Sequence, residues 1–166
     1  MVRTLVASQR GMTIAEVLIA SAIIGTGMVA LSAAIPLASY GLQEGNQLST
    51  ATFLATQRME QVRNARWAAG PPLADYLGVS ANGASAPVSG AVTTFPDEAS
   101  IGEPYASYSR TVRTMDCGAG AGCSGVVNAD LRQVTVTVSY RPMTGVGVAP
   151  ATSTKSAVVT MYIAKR

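Results

Sequence analysis

From residue 17 to residue 43 the chain carries no charged side chain, and residues 17–37 are dominated by Val, Leu, Ile, Ala and Met. About 20 such residues wound as a helix cross the hydrocarbon core of a bilayer, where a backbone without water must satisfy its own hydrogen bonds. That makes the segment a candidate membrane-spanning helix. It also explains a composition that is 48% hydrophobic yet only 13% charged: the apolar residues are concentrated in one place. Arg3 and Arg10 stand before the run, the first charge after it is Glu44 and the next cation is Arg58. This asymmetry keeps the amino end in the cytoplasm and sends the remaining chain to the periplasm or exterior.

A secretory signal peptide has the same order of charge and apolar run, but its apolar core is about 7 to 15 residues long and ends in a small-residue cleavage site. Here the run is longer and continues into a helical pattern. Processing fits better ahead of it, at Arg10, Gly11 and Met12. The unusual residue is Glu16, an acid at the start of the run. Carried to the bilayer centre, a carboxylate costs about 2.5–3.5 kcal/mol. It therefore calls for a cation. No Lys or Arg lies one turn away on its face, and the nearest available cation is the amine that a cut after Gly11 would create at Met12.

Gly11, Met12, Thr13, Ile14, Ala15 and Glu16, followed by the uninterrupted apolar run, resemble the class III signal sequence of type IV prepilins and pseudopilins. Met12 stands where that family usually has Phe. The resemblance implies that a prepilin peptidase cuts between Gly11 and Met12 and methylates the new amino terminus. It implies that the mature helices bundle into a filament core with the Glu16 carboxylate meeting the amino-terminal cation of a neighbouring subunit. Such a pair strengthens out of water, but desolvation limits its net affinity, so its expected role is to set axial register. Residues 51–63 also look like the helix of PilV-type minor pilins and of the small pseudopilin I of type II secretion.

Five segments are expected: a basic leader (1–11), the membrane or filament-core half of a helix (12–40), its amphipathic half (41–67), an irregular variable region (68–104) and an antiparallel sheet (105–166). In the amphipathic half Leu48, Ala51, Ala55, Met59 and Val62 recur at spacings of three and four, with Gln57, Arg58, Gln61 and Arg63 off the stripe and Glu60 supporting the exposed side. Pro36, Gly41 and Gly45 predict a kink or loosened turn. A helix from about residue 13 to 66 would be roughly 80 Å long. Small residues in the span (Ala15, Ala20, Ser21, Ala22, Gly25, Gly27) would let neighbouring helices approach closely. Gly70, Pro71 and Pro72 end the helix, and a short strand is expected near residues 91–95. The variable region is the candidate for lateral contacts. Strand patterns follow at 105–115, 132–140 and 156–164. Alternation places Val134, Val136, Val138 and Tyr140 on one face; the inward set is Val134, Val136, Val138, Val159, Met161 and Ile163, meeting Phe53, Leu54, Met59 and Val62, with 134–140 central. The fold class is thus α+β, a long amino-terminal helix on a pilin-like antiparallel sheet of three to four strands.

Cys117 and Cys123 close a seven-residue ring between the first two of these strands. Outside the cytoplasm they read as a disulfide worth roughly 2–2.5 kcal/mol. Many major pilins bracket the carboxy-terminal region with their disulfide, whereas this one caps a hairpin, which turns the resemblance toward a minor pilin.

The chain has no His, which removes Ser-His-Asp and Cys-His nucleophiles, His metal ligands and imidazole acid–base chemistry. Ser153, Lys155 and Ser156 read as a loop entering a strand, not a Ser/Lys catalytic pair. Asp97, Glu98 and Glu103 read as solvated loop acids, because a calcium loop of alternating oxygen ligands is missing. The net charge of +3 falls to +1 without Arg3 and Arg10, too little for a phosphate-binding face. Neither enzyme activity, cofactor, metal nor nucleic acid is expected. The expected partners are other pilin or pseudopilin subunits, the prepilin peptidase and the inner-membrane assembly platform. The function expected is that of a minor pilin that primes or joins a type IV pilus, against a pseudopilin of a type II secretion system or, in another class, a single-span anchored periplasmic binding domain.

Overall fold

The structure is a computed structural model that describes residues 11–67, 75–118, 123–142 and 153–165. The leader cations Arg3 and Arg10, the helix-ending Gly70, Pro71 and Pro72, and residues 119–122 of the cysteine ring lie outside the described residues. The order is α1 (Ile14–Arg63), β1 (Val88–Ser89), β2 (Val92–Thr93), β3 (Tyr108–Asp116), β4 (Leu131–Tyr140) and β5 (Lys155–Ala164). A long amino-terminal helix packs on a three-stranded antiparallel sheet of order β3-β4-β5, beside a separate two-stranded sheet, an α+β arrangement.

The chain divides at Gly41 into two units. In the first, α1 is helical from Ile14 and apolar all round. Every residue from 14 to 39 is exposed, including Leu18, Ile23, Met28 and Leu31. Its few hydroxyls are answered within the helix: Ser21 donates to the Val17 carbonyl at 2.8 Å, Ser32 to Met28 at 2.9 Å and Ser39 to Ile35 at 3.1 Å. Back-bonding of this kind leaves no side-chain donor for the surroundings to satisfy. The helix is long and apolar enough to cross a membrane. It is also continuous through Pro36, Gly41 and Gly45, where a loosened turn was expected.

In the second unit α1 buries Ala51, Leu54, Ala55, Met59 and Val62. Phe53 of the expected inward set and Leu48 of the expected stripe behave differently. Phe53 is 59% exposed, because at 100° per residue it falls on the side of the helix opposite Ala51, Ala55 and Val62. Leu48 is 46% exposed at the border of the stripe, while the half-buried Glu44 and Gln47 face inward at that level. Arg58, expected off the stripe, turns in, its side chain only 14% exposed.

Strict alternation places Arg132, Val134, Val136, Val138 and Tyr140 of β4 on the buried face, with Tyr108, Arg110, Val112 and Thr114 of β3 beside them. Ala157 is buried, and Val159, Met161 and Ile163 of β5 pack at the rim of the core. The irregular region also enters the core. Leu77, Pro87 and Phe95 are buried, so the stretch expected to be surface is partly structural. Its short strand pair turns through Gly90 and Ala91, with Gly90 at φ 60°, the left-handed conformation that a II′ hairpin needs at its first central residue. Gly78, at φ 69°, leaves no room for a Cβ, which would lie 2.6 Å from Thr94 Oγ1.

Leu54 and Phe53 separate the packed face of α1 from its bare one. Leu54→Ala is expected to cost about 2–4 kcal/mol by denaturant unfolding of the full chain in detergent, and Phe53→Ala less than about 0.5 kcal/mol. Equal losses at the two positions would refute this assignment of faces.

Candidate functional site

Gly11, Met12 and Thr13 precede the helix and are exposed, Met12 by 72%. Glu16 does not stand alone there. Its Oε2 accepts from the Thr13 backbone N–H at 3.3 Å and from the Thr13 hydroxyl at 3.4 Å, while the Glu16 N–H donates to Thr13 Oγ1 at 3.3 Å. This is a capping box, in which a Thr and a Glu three residues later satisfy donors that the first helical turn cannot. The carboxylate also lies at the positive end of the helix dipole. The pattern was legible in sequence, as Thr followed at the third residue by Glu before an apolar run. The partner expected for Glu16 was a cation; the partner the chain itself supplies is Thr13. Both contacts of the side chain use Oε2, so Oε1 carries none among the described residues.

In the second unit the charged groups are spent on joining elements. Glu98 bridges two arginines: Oε2 lies 2.7 Å from Arg110 Nη2 and Oε1 3.1 Å from Arg58 Nη2. Arg110 also donates to the Leu54 carbonyl at 3.3 Å, and Arg58 lies over the Phe95 ring at 5.2 Å. Burial pulls the Arg58 guanidinium below its usual pKa; Glu98 opposes that shift and Arg110 adds to it. Arg132 sits 4.5 Å over the Trp67 ring and 3.1 Å from Asp75. Arg113 holds Asp97 (Nη2 to Oδ2, 2.8 Å) and donates to the Gly83 and Ala84 carbonyls. The hydrogen bond from Arg113 holds the Asp97 carboxyl below its ordinary pKa. The acids at 97, 98 and 103 therefore do not converge, since two of them face different arginines. Among the described residues no group of three or more Cys, Asp or Glu is placed to hold a metal.

Lys155, read with Ser153 and Ser156, is paired with Glu44 of α1, and Ser156 is exposed. Burial raises the nearby Tyr140 phenol above its ordinary pKa, and Glu44 adds to the shift. A shallow cavity of about 520 Å³ is lined by Ser107, Ser109, Ser139, Tyr140, Arg141 and Thr154, hydroxyls with one cation and no general base. Cys117 and Cys123 are bonded, Cα–Cα 4.9 Å, and both are buried at the β3–β4 connection. The inward arginines were missed in sequence although parity marked them: Arg132 shares the alternation of Val134–Val138, and Arg110 that of Tyr108 and Val112. No family model, curated protein or solved structure matches the chain.

Removing the Glu98 carboxylate leaves two arginines facing each other, Arg110 at 8% exposure, so Glu98→Ala is expected to cost about 3 kcal/mol. Asp97 is 44% exposed and screened, and Asp97→Asn should cost under about 1 kcal/mol. Because folding lowers the Asp97 pKa, its contribution is present above the unfolded value near 3.9 and is lost as pH falls through the folded value. Asp97→Asn should therefore flatten the acid limb of stability against pH. An unchanged acid limb, or Asp97 outweighing Glu98, would contradict these roles.

Proposed function

We propose that the chain is a minor type IV pilin, made as a prepilin, cut between Gly11 and Met12, methylated at Met12 and inserted into or used to prime a pilus. The observation that carries the reading is Glu16: one carboxylate at the head of a run otherwise free of charge, with an exposed, non-helical Gly11–Met12 bond five residues before it. An accessible bond ahead of a helix suits a peptidase. A helix apolar on all sides suits first a bilayer and then a bundle of like helices. Processing creates a Met12 ammonium, and Oε1 of Glu16 is the atom left to receive the ammonium of a neighbouring subunit. In this reading the amino end begins in the cytoplasm, the α+β unit lies in the periplasm, and the partners are other pilin subunits, the prepilin peptidase and the inner-membrane assembly platform.

The likeness of residues 51–63 to small pseudopilins supports a second reading, a pseudopilin of a type II secretion system. Deletion separates the two, by loss of surface pili or by loss of secreted enzymes.

Mass spectrometry of the natural protein should find a chain starting at Met12 with one added methyl group; an intact Met1, or a cut after the apolar run, would leave only an anchored domain. Gln serves a capping box as well as Glu does, so Glu16→Gln keeps the cap and removes the charge. Incorporation of Glu16→Gln into filaments should fall about tenfold or more, equivalent to at least 1.4 kcal/mol, with processing intact. A Gln variant that assembles normally would reduce Glu16 to a helix cap.

A further inference from the structure

The two edges of the three-stranded sheet are treated differently. Along β3 the outward backbone groups of Tyr108, Arg110 and Thr114 are taken: Glu98 and Arg110 exchange both N–H···O bonds (2.9 and 2.8 Å), the Ser80 N–H donates to the Thr114 carbonyl at 2.7 Å, the Thr114 N–H to Ser80 Oγ at 3.0 Å, and the Ile101 N–H to the Tyr108 carbonyl at 3.0 Å. Antiparallel pairing alternates which residues bond to which side. Since Tyr108, Arg110 and Thr114 bond outward, it is their odd-numbered neighbours that bond to β4, and the register then bonds β4 to β5 through Ala157, Val159, Met161 and Ile163. The Cys117-to-Leu131 bond and the Lys165-to-Asp130 bond obey the same parity. The N–H and C=O groups of Ser156, Val158, Thr160, Tyr162 and Ala164 consequently point to the free edge, and among the described residues no backbone group answers them.

The one charge in β5 is Lys155 at its start, and it is paired with Glu44. Residues 156–164 contain no charge, Pro or Gly, and include Val158, Val159, Thr160 and Ile163. Sheet edges left open are normally guarded by such residues. A groove of about 630 Å³ runs beside its carboxy-terminal half, lined by Arg63, Arg66 and Trp67 from the end of α1 and by Met161, Tyr162, Ile163 and Ala164. Inward-pointing and outward-pointing residues of β5 both line it, so it follows the edge and not one face. Its charge is one-sided. Arg63 is paired with Glu60, whereas the exposed Arg66 side chain, and Lys165 just beyond the strand, have no ion partner among the described residues, and no acid lines the groove.

We propose that the β5 edge and this groove bind an extended, acidic segment of a partner protein, which adds as a fourth strand while its carboxylates meet Arg66 and Lys165. Main-chain bonds to β5 supply affinity, and the two cations with Trp67 and Tyr162 supply selectivity. The proposal rests on the fold and stands whether or not the chain is a pilin.

Trp67 is the sole tryptophan and lies in the groove, so it reports binding without a label. The full chain in neutral detergent is titrated with a synthetic ten-residue peptide of alternating Thr and Val ending in two Asp, and with the same peptide ending in two Lys. The acidic peptide should shift Trp67 fluorescence saturably and slow hydrogen exchange at Val158, Thr160 and Tyr162, and the basic one should do neither. Arg66→Glu combined with Lys165→Glu, both at exposed positions, should weaken the acidic peptide at least tenfold. Thr160→Pro removes one outward N–H from an edge that tolerates Pro and should abolish the exchange protection. If Thr160→Pro does not fold, the double charge reversal decides alone. Equal binding of the two peptides, no binding of the acidic one, or a Trp67 response without slowed exchange would overturn the proposal. So would slow exchange at those three amides before any peptide is added, accompanied or not by dimer formation, since the edge would then be covered already.

Discussion

In hydrocarbon a polar group has no solvent to turn to, and the first half of α1 is built to need none. Its backbone is helical without interruption, and Ser21, Thr26, Ser32 and Ser39 return their hydroxyls to carbonyls three or four residues earlier. Pro36 fits the same logic: its cost falls on one backbone bond, and the helix carries on regardless. What remains on the outside of residues 14–39 is hydrocarbon on every side, except at Glu16. A helix of that kind has only two stable surroundings, a bilayer or other apolar helices. By length and composition the helix could span a membrane; burial among like helices is the proposal built on the same restriction.

The second unit answers a different problem, that of tying an irregular segment to a small core. Here the charged residues serve as connectors. Arg110 on β3, Arg58 on α1 and Glu98 in the connecting segment form one bridge; Arg132, Asp75 and Trp67 form another; Arg113 and Asp97 form a third. Each links residues far apart in the chain, and each spends a cation that might otherwise have signalled a binding face. A low charged fraction combined with so many internal pairs leaves little charge on the surface of this unit. Arg66, Arg141 and Lys165 stand out for that reason.

Periodicity made most of the architecture readable. The apolar run gave α1, and alternation gave β4, its central place and its buried valines, because a period of two assigns every residue of a strand to a face. The neighbouring strands began and ended within three residues of expectation. What periodicity could not give was tertiary choice. Phe53 is as hydrophobic as Leu54, and only the position of the sheet decides which of the two is covered. Leu77, Pro87 and Phe95 sit in a stretch without a period, so nothing local marked them as core. At the candidate site, Gly11, Met12, Glu16 and the cysteines were legible as residue types at a spacing. Thr13 belongs with them: the Thr–Glu spacing of a capping box stands in the sequence, though it marks a hydrogen bond and not a charge.

The cap bears on how one acid could serve two stages of the proposed assembly. A carboxylate has two oxygens and about four acceptor positions. Within the chain, Oε2 closes the capping box on Thr13 at the head of the apolar run. Oε1 is left over. A second, external cation can then be added without breaking the cap, so the encounter of two subunits would not first have to undo a local bond. In the proposed filament, register would be selected by geometry: a neighbour displaced by even one turn would bring its Met12 ammonium to a hydrocarbon surface, not to a carboxylate, and would forfeit the pairing that compensates for desolvation.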